Sequence, residues 1–289
     1  MIAVRSPALF LGGALVLVVV AVAVLAPQLA GPDPTALSLR QALAPSSAQA
    51  LLGRDALGRD VFARVLFGGR VSLLIGISVV AISVLVGVAL GALAGFRGGW
   101  VDEVVMRSVD ILLAFPGLLL AISLAAVLGP SARNTVLALC ATSWTSYARV
   151  VRGEVLAWRG RELTVAATAL GGSPWRVVTR HVLPQLLPPL AIQGAAGIAG
   201  AIVAEASLAF LGIGVPPPTP TWGSMINEAR GFLLVAPHLA VAPGVALTVT
   251  VLGFTLLGDG LRDYFDVKTS LTVSEPPNSP QPVVAGGAR

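Results

Sequence analysis

Few side chains in this sequence are suited to bond-making chemistry, and their spacing argues against it. The chain has two histidines, His181 and His238, one cysteine, Cys140, and a single lysine, Lys268. Neither histidine has a ligand-like neighbour. Cys140 falls in an apolar run, which implies a small buried side chain rather than a disulfide framework or a metal cluster. A phosphate-cradling loop of the form G-x4-G-K-[ST] needs a lysine after glycine, whereas Lys268 follows Val267. ATP binding must therefore come from a partner, and no activated nucleophile offers a catalytic alternative.

Two carboxylates stand out because they lie inside long apolar runs, Asp110 and Glu205. A charge at the centre of a membrane helix costs about 2.5–3.5 kcal/mol on insertion scales and tends to mark a function. Asp110 falls near one end of its run, where a structural pairing and a functional role are equally open. Glu205 falls deeper, where it could line a pathway, cap an interhelical network or face a partner.

The most structured polar stretch is residues 161–184, RELTVAATALGGSPWRVVTRHVLP, an island between apolar segments. Leu163, Ala166, Ala167 and Leu170 recur at helical spacing, and Gly171-Gly172 supply a helix stop. Ser173 then Pro174 read as an N-cap followed by the favoured first position. Val177 and Val178 between Arg176 and Arg180 give the second short helix an apolar and a basic side, and Pro184 ends it. This spacing predicts a docking surface, with an interfacial amphipathic hairpin as the plainer alternative.

The elements that would present this loop follow from composition. Of 289 residues, 55% are hydrophobic and 11% charged, and the mean hydropathy is +0.86; a soluble domain carries roughly 25% charged residues. The chain reads as an all-α integral membrane protein. Its net charge of +5 would suggest nucleic acid in a soluble protein, but the arginines lie between apolar spans and report orientation instead.

Six spans are expected. The first is Pro7 to Ala26, longer than the roughly 7–15-residue core of a signal peptide and so read as an uncleaved anchor. Gly31 to Arg70 reads as an outer polar segment ending in an interfacial helix, with Val61, Phe62, Val65 and Leu66 on one side and Arg59, Asp60 and Arg64 on the other. Span two is Val71–Gly95 and span three runs from about Val104 to Leu128, with Asp110 and Pro116 near its start. Spans four, five and six are about Asn134–Val151, Pro184–Leu211 and Pro237–Leu257, the last closed by Gly258-Asp259-Gly260-Leu261-Arg262-Asp263. The proline-rich Gly214–Arg230 is read as an ordered outer loop. The division expected is residues 1–70 as anchor and outer segment, 71–262 as the core carrying loop 161–184, and 263–289 as a disordered tail. Seven basic residues, Arg40, Arg54, Arg59, Arg64, Arg70, Arg133 and Arg230, fall on one set of loops and the other twelve of 19 on the opposite set. The positive-inside rule then puts both termini and loop 161–184 in the cytoplasm.

Several words in this sequence resemble one family. Ala166, Ala167, Gly171 and Leu183-Pro184, in the spacing A-A-x3-G-x11-L-P, are similar to the cytoplasmic coupling loop of bacterial ABC importer permeases. The motif's acidic first position is Val165 here, and Glu162 stands three residues earlier. Leu52-Gly53-x-Asp55 with Gly58-Arg59-Asp60, the turn Gly95–Asp102, Trp144-x2-Tyr147-Ala148-Arg149-x2-Arg152 and the loop and closing motif near the end resemble the peptide and nickel branch. The resemblance covers about Leu52 to Asp266. It implies a type I importer permease fold in the bacterial inner membrane, with Glu162, Ala166, Ala167, Gly171, Ser173, Arg176, Arg180 and His181 contacting an ATPase. It also implies a second homologous permease, two ATPase subunits that hold ATP and magnesium, and an external binding protein. The cargo implied is peptides, or nickel or glutathione in some relatives, with no cofactor in this chain. A stand-alone channel or ion-coupled transporter would instead need paired intramembrane charges or an inverted repeat.

Overall fold

The computed structural model describes residues 6–31, 33–159 and 183–272. The described residues form helices joined by turns: α1 Pro7–Val24, α2 Ala26–Leu29, α3 Val61–Arg97, α4 Gly99–Leu113, α5 Gly117–Leu128, α6 Ala132–Arg159, α7 Leu187–Phe210, α8 Trp222–Ala229 and α9 His238–Thr272. Helices α1, α3, α7 (with the turn that precedes it) and α9 are long and apolar enough to cross a membrane. Helices α4 and α5 make one further candidate span, bent by 88° at the break between them. Helix α6 has the length, 28 residues, but Thr142, Ser143, Thr145 and Ser146 leave its middle too polar for the same criterion. Large apolar side chains such as Leu17, Leu85 and Val127 stand exposed around the bundle, as lipid- or partner-facing surfaces do.

Three expected boundaries are corrected. The interfacial helix and span two are one helix, α3, of 37 residues, about 55 Å long at roughly 1.5 Å per residue. Its start is set by Asp60, whose carboxylate accepts the Ala63 amide at 3.0 Å. No break follows, because Gly68 and Gly69 make room for the Thr221–Trp222 backbone and the Trp222 ring rather than turning the chain. The N-terminal part of α3 therefore projects beyond a hydrocarbon core of about 30 Å. The second correction concerns span three, which is broken at Ala114–Pro116 because proline cannot continue a helix whose preceding turn it clashes with. Finally, α9 runs through Gly258 and Gly260 to Thr272. Those glycines admit neighbours instead of closing the helix: a Cβ on Gly260 would lie 2.3 Å from the Leu9 amide nitrogen of α1.

The helix pairs α3–α6, α1–α9, α7–α9 and α3–α7 carry most of the packing. Between membrane helices the driving force is close contact rather than hydrophobic exclusion, because lipid tails are as apolar as leucine. Along the α3–α6 seam Gly87, Gly91 and Gly95 recur every fourth residue on one face of α3 and meet Tyr147, Ala148, Val151 and Val155. At Gly91 a Cβ would stand 2.4 Å from the Ala148 carbonyl oxygen, so the two backbones touch. The main core lies beside this seam, where Ile75 and Val79 of α3, Ala121 and Ala125 of α5, Ala138 and Leu139 of α6, and Ala201 and Leu208 of α7 meet. The segment between α7 and α9 is ordered by α8, which a reciprocal Thr221–Ser224 capping box begins and whose Trp222 indole N–H donates to the Val65 carbonyl at 3.0 Å.

A leucine at Gly91 has no room and should destabilise by the roughly 1–3 kcal/mol of an overpacked core, a fall of about 2–10 °C in Tm for a chain of this size. Gly13→Leu, where a side chain meets nothing within 4 Å, should melt like the wild type. Equal melting of the two variants in detergent would show that the seam is not closely packed.

Candidate functional site

Three features of the bundle carry polar chemistry: a groove along α6, an ion-pair cluster at the start of α3, and two ion pairs where α6 approaches loop 161–184. The groove, about 340 Å³, is walled by Val79 and Val80 of α3, Gly117, Leu118 and Ala121 of α5, Leu139 to Tyr147 of α6, and Gln193 to Ala204 of α7. Among the described residues no charged side chain lines it. Its polar groups are the hydroxyls of Thr142, Ser143, Ser146 and Tyr147 and the Gln193 amide. Thr142 and Ser143 donate to the Leu139 carbonyl at 3.2 and 2.8 Å, the usual way a hydroxyl is kept satisfied inside a membrane helix. Their oxygens can still accept from a visitor. Tyr147 donates across to the Gln193 backbone carbonyl at 3.4 Å, a reach that Gly197 permits, since a Cβ there would lie 2.2 Å from the Tyr147 hydroxyl. The buried Gln193 Oε1 has no hydrogen-bond partner. Such a wall can hydrogen-bond a neutral amide without favouring either sign of charge.

At the N-terminal end of α3 the two sequence words noted above become one structure. Gly53 and Gly58 adopt φ of +75° and +73°, conformations that glycine alone adopts freely. They close turns that aim Asp55 inward. Its Oδ1 accepts the Leu57 and Arg59 amides, both at 2.9 Å, and its Oδ2 accepts Arg59 Nε at 2.6 Å and Arg64 Nη1. Glu228 of α8 completes the set, taking Arg59 Nη2 at 2.6 Å and Arg64 at 2.9 and 3.1 Å. Arg59 and Arg64, read from the sequence as the solvated side of an interfacial helix, are therefore buried. Arg64 keeps 2% of its side-chain surface exposed, because two carboxylates balance the two guanidinium charges and so offset desolvation. Burial alone would raise the Asp55 carboxyl, but the Arg59 amide and guanidinium and the Arg64 charge outweigh it and hold Asp55 below the usual carboxylate range.

Of the residues singled out from the sequence, Glu162, Ala166, Ala167, Gly171, Ser173, Arg176, Arg180 and His181 lie outside the described residues, as does the chain beyond residue 272. Asp110 pairs with Arg149 at 3.0 Å, both exposed, a contact worth about 0–1 kcal/mol. Glu205 is fully buried and is absent from the groove wall. Its Oε2 accepts from Ser72 of α3 at 2.9 Å, and the Thr221 hydroxyl at the start of α8 also acts on this carboxyl. Sequence reading missed Asp102, whose carboxylate takes a two-pronged contact from Arg152 at 2.5 and 2.6 Å. It also missed Glu228, which stands 164 residues from Arg64, and the groove. The run Thr142, Ser143, Ser146 on one side of an otherwise apolar span was the available signal for the groove. Cys140 is buried, as expected, and among the described residues no group of His, Cys, Asp and Glu could hold a metal.

Residues 87–271 match the family model described as the inner membrane component of binding-protein-dependent transport systems. A glutathione transport system permease protein from Pectobacterium atrosepticum is 45% identical over 224 residues, 78% of this chain and 74% of that protein. A dipeptide transport system permease protein from Alkalihalophilus pseudofirmus is 40% identical over 222 residues, 77% and 73% of the two chains. A protein named as a putative peptide transport system permease from Brucella abortus is 40% identical over 264 residues, 90% and 88%.

Because Asp55 is held low in the folded protein, its stabilisation is complete at neutral pH. It declines as the pH falls below the unfolded value of about 3.9 and is gone below the depressed folded value. Asp55→Asn should lower Tm at pH 7, toward the smaller end of the roughly 3–5 kcal/mol for breaking a buried pair, since Glu228 remains. It should also flatten the acid limb of the melting profile. Wild-type melting and wild-type acid sensitivity in this variant would contradict the assignment.

Proposed function

From the premise that the chain belongs to the family of inner membrane components of binding-protein-dependent transport systems, we propose that it is one permease of a peptide importer. In this reading an external binding protein delivers the peptide, and two partner ATPase subunits, which hold ATP and magnesium, drive its passage. A second, homologous permease faces this one, and six crossings place both termini and loop 161–184 in the cytoplasm. The helix pair α4–α5 counts as one crossing and α6 as another. Loop 161–184 joins α6 to α7, and both helices wall the groove. A push on that loop reaches the passage through the same two helices.

The observation that carries the substrate class is the neutral, hydrogen-bonding groove. Peptides share an amide backbone and differ in side chains. A wall of hydroxyls and small residues grips the shared part weakly and tolerates the rest. Weak contact suits a transporter whose selection happens at an external binding protein, since a tightly held substrate would not leave. Glutathione, itself a small peptide, is the second reading, favoured by the name of the Pectobacterium relative.

Two experiments test this. In a detergent pull-down with the ATPase subunits, wild type should retain them and the double variant Ala167→Asp with Gly171→Asp should lose them while remaining folded; a wild type that captures no ATPase contradicts the coupling role. Gly200 lines the groove and a side chain there meets nothing within 4 Å. Gly200→Trp should therefore fold and assemble yet abolish peptide uptake, and normal uptake would remove the groove from the passage.

A further inference from the structure

The last described turns of α6 are tied to α4 rather than left free. Arg152 offers two parallel N–H donors to Asp102, Nε to Oδ1 at 2.5 Å and Nη2 to Oδ2 at 2.6 Å. This paired geometry fixes orientation as well as distance. The two side chains are 20% and 32% exposed, so the contact is partly shielded from water and salt. One turn earlier Arg149 meets Asp110, in the open. Two turns beyond Arg152, the Arg159 guanidinium reaches the Gly98 turn between α3 and α4, 3.8 Å from where a Gly98 side chain would begin.

What lies at the other end of α4 gives these contacts a role. After the break at Ala114–Pro116 the chain turns by 88° into α5, and α5 supplies Gly117, Leu118 and Ala121 to the groove wall. The other ion pair between α4 and α6, Arg149 with Asp110, is exposed, so among the described residues Asp102–Arg152 is the partly shielded ion pair between these helices. A displacement of α6 at its loop end thus has a rigid connection to α4, a bend that turns it, and a groove wall that receives it.

We infer that Asp102 and Arg152 are positioning residues that transmit movement of loop 161–184 to the α5 wall of the groove. The inference rests on the coupling role proposed for that loop, and it adds a second route beside the direct one through α6. The transmission is mechanical: no proton or bond is exchanged, and what matters is that the two-pronged contact stays closed while α6 moves. The paired guanidinium and carboxylate fix the angle of the contact as well as its distance, which a single ammonium does not.

The test uses the complete importer, with the second permease, both ATPase subunits and the binding protein, in proteoliposomes, reading peptide taken up per ATP hydrolysed. Asp102→Asn should lower that ratio at least about fivefold, the small end of ordinary coupling between sites, with the ATPase subunits still bound. Arg152→Lys, which keeps the charge but loses the fork, should lower it as well. It also serves if Asp102→Asn fails to fold. The exchange Asp102→Arg with Arg152→Asp should recover much of the ratio, a rescue that a merely local packing role would not give. A coupled wild type whose ratio is unchanged in the variants, or an exchanged pair as uncoupled as the single variant, overturns the transmission role alone. A wild type that hydrolyses ATP without uptake, or takes up peptide without ATP, overturns the importer reading and this inference with it.

Discussion

The backbone contact between α3 and α6 is the constraint on which the other features depend. In a bilayer two helices gain little by excluding each other's apolar surface from solvent, and stay together by fit. Three glycines of α3, a turn apart, let α6 approach until main chain meets main chain at Gly91 and Ala148. That approach brings Tyr147 beside α7, puts the hydroxyl side of α6 in the groove, and sets the depth at which Arg149 and Arg152 meet α4. It also makes α3 a fixed post. Its N-terminal end can then carry Arg64, whose partners Asp55 and Glu228 come from the preceding loop and from α8.

Charge is distributed to the ends of this scaffold. Asp55, Arg59, Arg64 and Glu228 fasten the loop before α3 and helix α8 to the start of α3. Asp102 and Arg152 fasten the broken span to α6, at the end that continues into loop 161–184. Between them the groove is neutral among the described residues, and the buried acid Glu205 is turned into the α3–α7 contact, where Ser72 meets it. A charge facing the groove would favour some peptide side chains over others, and its absence from the wall suits a chain that belongs among bacterial peptide and glutathione permeases.

Membrane spans were legible in the sequence because apolarity is a property each residue carries on its own, and a run of about 20 such residues needs no knowledge of its neighbours. The family was legible for a related reason: Leu52 to Asp60, Gly95 to Asp102 and Trp144 to Arg152 are short words with fixed order. What failed required a partner distant in sequence. Gly258 and Gly260 read as part of a closing motif, and only Ala195 and Leu9 opposite them show that they make room instead. Arg64 looked solvated until Glu228, from the far end of the chain, came to meet it. Pro116 was visible, but a proline can kink a span or break it, and the 88° bend is decided by how α4 and α5 pack. Asp110 drew attention because it lies inside an apolar run, whereas Asp102, in the glycine turn, makes the stronger contact.

The most direct test of the central claim is uptake by proteoliposomes holding the assembled complex, with ATP enclosed and labelled dipeptide and glutathione outside. The account predicts accumulation of one of them against its gradient, dependent on both ATP and the binding protein, with none in vesicles containing this chain alone. Uptake by the chain alone, without ATPase subunits or binding protein, would contradict it and identify a channel or an ion-coupled carrier.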